Sequence, residues 1–161
     1  MQSLTKEQIE NSFSDSDHRV LHLPSDLLED VDFAELDYFG WKDPSGHFGY
    51  VVVEHDGALQ GLVFRMHPGE PTASTGMCNL CLSVHNHGTK AISIQSRTKP
   101  NQSIGIHVCR ELNCSHMVRG KMPGILMGET ISVGKKIERL QVNLSRFVGR
   151  VLEGRPGESV S

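Results

Sequence analysis

Short β-rich runs and one helical stripe set the order of elements along this chain. Tyr50-Val51-Val52-Val53-Glu54 is β-branched, Asp56-Gly57 fits a type I′ turn, and Gly61-Leu62-Val63-Phe64-Arg65 returns, which predicts a β-hairpin. Ala91-Ile92-Ser93-Ile94-Gln95 and Ile104-Gly105-Ile106-His107-Val108 alternate apolar and polar positions on either side of Lys99-Pro100-Asn101, which predicts a second. Towards the end, Ile137, Leu140, Leu144, Phe147, Val148 and Val151 recur at three- and four-residue steps, with Ser132 placed to cap the helix they predict.

Weaker signals fill the gaps. Thr5-Lys6-Glu7-Gln8 fits a capping box, so a short helix is expected over about residues 5–13. Ser14-Asp15-Ser16-Asp17 is a polar break, and Pro24 to Tyr38 reads as irregular helical turns. Gly40-Trp41 leads into a turn at Asp43-Pro44-Ser45-Gly46, with Trp41 read as a core or turn anchor in preference to an exposed binding aromatic. His67 to Gly76 and Lys121 to Gly128 read as loops. A short helix after Cys109 is expected to end with Gly120 at the C′ position. The fold class that follows is α+β: two β-hairpins around a zinc finger, closed by a C-terminal amphipathic helix. Residues 1–40 form a short helical and irregular segment on or beside the domain, 41–152 the domain itself, and 153–161 a disordered tail.

Composition narrows the class. The chain has 161 residues, enough for one domain with an ordinary core, and 37% hydrophobic against 22% charged residues is a globular balance. No apolar run approaches the roughly 18 residues of a membrane span. The first 25 residues lack a basic start and an apolar stretch, so a cytoplasmic location is expected. A formal net charge of −3 argues against general phosphate binding, though a local basic face remains open.

In a reducing compartment, cysteines in close pairs point to metal before disulfides. Cys78 and Cys81 are separated by two residues, and Cys109 and Cys114 by four. The first spacing permits a knuckle whose backbone N–H groups face the sulfurs. The second pair falls at the end of a strand and the start of a helix, whose N-terminus favours a thiolate. Knuckle, hairpin, then a helix bearing the second pair is the order of a treble clef, with one structural zinc ion on Cys78, Cys81, Cys109 and Cys114. Buried apolar cysteines and a redox Cys78–Cys81 pair are the alternatives. His85, His87, His107 and His116 lie near these cysteines. His107, on the strand face of Cys109, is the best placed of them to substitute as a ligand, but a plain surface or outer-shell role is the reading preferred for it.

A full set of four cysteines leaves no open position for water, so the expected role of the ion is structural and the protein is not expected to be an enzyme. No His precedes a Glu by two residues, no HExxH occurs, and the lysines after Gly128 lack P-loop spacing. The segment His85-Asn86-His87 serves an enzyme reading only if the metal site is open.

The order Gly40-Trp41-x-Asp43-Pro44, the Val51–Phe64 hairpin, Met77-Cys78-Asn79-Leu80-Cys81, Cys109-x-x-x-x-Cys114, Val118-Arg119-Gly120 and Glu129-Thr130-Ile131-Ser132 carries a family likeness. It resembles the treble-clef zinc-finger domain of the elongation factor G-binding, FusB-type fusidic-acid-resistance proteins, over about residues 5 to 152. The resemblance implies a non-enzymatic protein that binds translation elongation factor G and helps release it from the ribosome. It places the zinc ligands on the same four cysteines. Members proven in resistance carry an N-terminal helical bundle, which residues 1–40 are too few to build. Arg97, Lys99, Arg119 and Lys121 are the basic residues expected to face the partner, unless they form only a solvated face. A nucleic-acid-binding zinc module, with ribosomal RNA as ligand, is the alternative reading of the same charges.

Overall fold

The computed structural model describes residues 1–68, 76–86 and 88–153. Most of the expected loop His67 to Gly76, His87 and nearly all of the expected tail lie outside them. Helix α1 (Lys6–Ser12) starts on the capping box: Thr5 Oγ1 accepts from the Gln8 N–H, and Gln8 Oε1 accepts from the Thr5 N–H. Single 3₁₀ turns at Asp17–Arg19 and Phe33–Glu35 then carry the chain irregularly to the sheet.

The sheet is antiparallel with five strands in sequence order, β1 (Phe39–Lys42), β2 (Phe48–His55), β3 (Ala58–Met66), β4 (Thr89–Gln95) and β5 (Ser103–Cys109). Asp56 and Gly57 both have positive φ, 50° and 78°, as the type I′ turn between β2 and β3 requires. Two features differ from the sequence expectation. Gly40-Trp41 belongs to a strand, because Trp41 stands opposite Tyr50 and the two rings stack at 5.2 Å; cross-strand packing outweighs the weak propensity of a four-residue run. The two hairpins also join into one sheet, through the pairs Arg65↔Ser93 and Met66↔Ile92. The first cysteine pair is inserted between the hairpins.

Both faces of the first hairpin are covered. Val51 and Val53, with Leu62, Phe64 and Met66, pack with Ile92, Ile94 and Val108 against Leu140, Leu144, Phe147, Val148 and Val151 of α3 (Val133–Glu153). The four cysteines lie in this same cluster. Tyr50 and Val52 point the other way, into a second cluster with Phe39 and with Leu4, Ile9, Phe13 and Phe33 of the N-terminal segment. Gly61 makes room for it: a Cβ there would stand 2.6 Å from the Phe13 ring. Among the described residues, no helix is long and apolar enough to cross a membrane.

Candidate metal centre

The knuckle is built by backbone hydrogen bonds. Leu82 N–H donates to Cys78 O and Cys78 N–H to Ser83 O, while Leu82 turns at φ 58°, a left-handed conformation costly for a branched side chain. Asn79 fastens the knuckle to β5, its N–H donating to His107 O and its Oδ1 accepting from His107 N–H at 2.6 Å. Helix α3 holds the other side. Asn143 Nδ2 donates to Leu80 O and Arg139 Nη2 to Cys81 O.

The second pair is placed by the end of a strand and the start of a helix, as expected. Cys109 is the last residue of β5, and Cys114 opens helix α2 (Cys114–Val118). The turn between them uses Leu112 at φ 53°, whose N–H donates to Cys109 O. Gly120 closes α2 at φ 69°; its N–H donates to Met117 O and that of Lys121 to His116 O, the double bond of a Schellman cap.

All four sulfurs are buried and lie within 4.8 Å of one another. Cys78 Sγ is 3.6 Å from Cys114 Sγ, and Cys81 Sγ is 3.5 Å from Cys109 Sγ. These are far longer than a disulfide of about 2.05 Å. They are close to the edge of about 3.8 Å in a tetrahedron with sulfurs 2.3 Å from a central zinc. The protonation chemistry agrees. Hydrogen bonds first from Cys109 and then from Cys114 hold Cys78 and Cys81 low, while hydrogen bonding to Cys109, Cys78 and Cys81, and then burial, pushes Cys114 well up. Four thiols this close cannot all ionise by themselves, and a dication among them removes the conflict. The donor set is therefore positioned to hold one zinc ion.

Histidine enters differently from the sequence expectation. The imidazole beside the sulfurs is that of His85, 1% exposed, with Nε2 3.4 Å from Cys109 Sγ. His107 shares the strand with Cys109, but its side chain is exposed and its backbone is what engages the knuckle. His116 is half-buried on α2, and His87 lies outside the described residues. Spacing along the chain singles out His107 but prefers a surface or outer-shell role for it, and its exposure agrees; the fold brings His85 in because residues 84–86 pair with the loop at 124–126. Tyr38, fully buried, accepts at Oη from the Cys114 N–H at 3.4 Å, and burial followed by the Cys114 charge pushes its phenol well above the ordinary value. Nothing in the spacing of the cysteines pointed to Tyr38.

The four basic residues do not assemble into one surface. Gln95 pairs with Ser103 at one end of β4–β5 and Thr89 with Cys109 at the other, so the hairpin tip stands roughly 20 Å from the sulfurs and is not zinc-proximal. There Arg97 donates to Gly61 O at 2.7 Å and pairs with Asp17, while Lys99 is exposed. Arg119, 15% exposed, is held inside: Nη1 donates to Asp37 at 2.7 Å and to Ser115 O, and Nε stands 3.5 Å from Glu35. Lys121 pairs with Glu35 at 3.0 Å. Burial pushes the Asp37 carboxyl up, but hydrogen bonds from Arg119 and Gln141 outweigh it and hold the carboxyl below its ordinary value.

The sequence profile of the FBP C-terminal treble-clef zinc-finger family matches residues 8–151. The chain belongs to that family. Its treble-clef site and one-zinc donor set are thus family features as well as geometric ones. No curated protein sequence matches the chain significantly. Among solved structures, the fusidic acid resistance protein FusC is similar in fold, with a TM-score of 0.58 and 18% identity. The alignment covers 94% of this chain and 60% of the FusC chain, so this chain spans less than two thirds of the length of that one.

Proposed function

We propose that this treble-clef protein is a non-enzymatic, zinc-stabilised binding module for translation elongation factor G, acting to free the factor from the ribosome. Family membership supports the reading, and so does likeness of fold to a fusidic acid resistance protein. The observation that carries a binding role is the surface over the metal centre. Ile125, Leu126 and Met127 are exposed in sequence, Met127 to 64%, and Leu126 N–H donates to Val84 O. Met77, also exposed, bridges Val84 from the other side. Adjacent exposed apolar residues mark a docking surface, and methionines adapt well to a partner. Here they rest on a backbone fixed by the knuckle, so little ordering cost opposes binding. This surface replaces the basic residues as the best partner-facing candidate. Arg97 and Arg119 already have internal partners, which weakens the ribosomal-RNA reading of the same charges.

Calorimetric titration of the zinc-loaded protein into elongation factor G from the same organism tests this. Micromolar or tighter binding is expected, abolished by Leu126→Glu together with Met127→Glu while the melting temperature stays unchanged. Absence of heat and of co-elution at tens of micromolar would remove the factor as partner. Equal binding by the double variant would move the interface elsewhere.

A further inference from the structure

Four thiolates around one dication carry a net charge of about −2. In this protein that charge sits among Leu80, Val108, Met117 and Leu140, where dispersing it requires hydrogen-bond donors aimed at the sulfurs. The other three sulfurs have polar neighbours of their own. The Cys81 N–H reaches Cys78 Sγ at 3.5 Å, the Ser83 side chain lies beside Cys81, and the Tyr38 hydroxyl, which accepts from the Cys114 N–H at 3.4 Å, lies beside Cys114. Cys109 is served differently. In its own turn the Arg110 N–H points to Gly88 O and the Leu112 N–H to Cys109 O, so both amides are directed at carbonyls. Among the described residues, what comes to its sulfur from outside the cysteine set is His85 Nε2, at 3.4 Å.

We infer that His85 is a positioning residue for the zinc: its Nε2–H donates to the Cys109 thiolate and strengthens the hold on the metal without becoming a ligand. A thiolate is only an acceptor, so the contact requires the proton on Nε2. The imidazole is held in place by its own backbone, which bridges Ile125 and accepts from Gly88 N–H, and it is 1% exposed. The role goes beyond the proposed partner, because it concerns the metal centre whatever the module binds. Partners of this kind are worth about 10- to 100-fold in metal affinity.

Three measurements on the full chain test it. Competition with a chromophoric chelator should show His85→Leu holding zinc about 10- to 100-fold more weakly. His85→Gln, which keeps an N–H donor at similar reach, should recover most of that loss. In the unmutated protein loaded with ¹¹³Cd, a proton–cadmium correlation should connect the His85 Nε2 proton to the metal through the Cys109 sulfur. Wild-type affinity in His85→Leu would overturn the inference. So would a cadmium spectrum that shows the Cys81 amide but not the His85 proton, or X-ray absorption with a nitrogen in place of one sulfur. The cadmium spectrum needs no variant, so it decides the matter even if His85→Leu does not fold.

Discussion

On one face of the sheet, Phe33, Phe39, Trp41, Tyr50 and Phe13 touch in turn, with ring centroids 5.2 to 6.4 Å apart. Their polar ends are tied to irregular backbone, Tyr50 Oη donating to Val20 O at 2.6 Å and Trp41 Nε1 to His22 O at 2.8 Å. On the opposite face the aliphatic stripe of α3 lies over the strands and over four buried sulfurs. The aromatic face turns a segment with little regular structure into a cover by large side-chain area. The zinc face fixes an equally irregular stretch, the knuckle and the turn at Leu112, through cross-links to a single centre. Such centres tolerate local strain. Leu82 and Leu112 both occupy left-handed backbone, where glycine would be easier.

The comparison breaks most sharply if the metal is removed. Structural zinc contributes roughly 10–16 kcal/mol to folding in small zinc-finger peptides, and this domain has a sheet besides. Cys114→Ser, or a strong chelator, is expected to remove about 5 kcal/mol or more and to loosen residues 78–120 first. Hydrogen exchange should then rise in β5 and α2 while the β2–β3 hairpin stays protected. An unchanged melting curve would mean that the sulfurs are a packed cluster and not a structural site.

The aromatic face should fail in the opposite sense. Phe13 fills the space left by Gly61 and packs edge-on to Trp41 and Tyr50 at 6.1 and 6.4 Å. Phe13→Ala is expected to cost about 3–5 kcal/mol in denaturant unfolding. Zinc affinity by chelator competition should be unchanged, and the loss should add to that of Cys114→Ser to within about 0.5 kcal/mol. A marked drop in zinc affinity would show that the two faces are one cooperative unit.

Much of this was legible along the chain because it is local. The Thr5 capping box, the Asp56-Gly57 turn, both hairpins, the Gly120 cap and the α3 stripe each rest on residues within a few positions of one another. The cysteine pairs were legible for the same reason, their spacing being a local property. What was hidden depends on distant pairing. Strand β1 exists because Trp41 meets Tyr50, and His85 reaches Cys109 because residues 124–126 bridge residues 84–86. Arg119 read as a free charge; 82 positions away, Asp37 takes it up. Charge alone cannot tell a docking residue from half of an internal ion pair.

That ion pair is where the two faces are joined, and it sharpens the comparison by the smallest expected effect. Phe33 and Phe39 belong to the aromatic cluster, whereas Tyr38 belongs to the zinc cluster, so the chain changes sides between them. Asp37 fixes the crossing. Its side chain, 2% exposed, accepts from Arg119 at the end of α2 and from Gln141 of α3, and its N–H donates to Ser115 Oγ. Asp37→Asn removes the charge and keeps the shape, and is expected to cost about 2 kcal/mol near pH 7. Because the folded carboxyl lies below its ordinary value, its contribution is complete above the unfolded value of about 3.9 and is lost as pH falls through the folded one. The stability gap between wild type and variant should therefore hold from pH 7 down to about 5 and close below about 4. Urea midpoints taken across that range with cadmium in place of zinc, to keep the sulfurs metallated in mild acid, would show it. A gap that persists unchanged at pH 3 would mean that Asp37 acts there through its hydrogen-bonding shape and not through its charge.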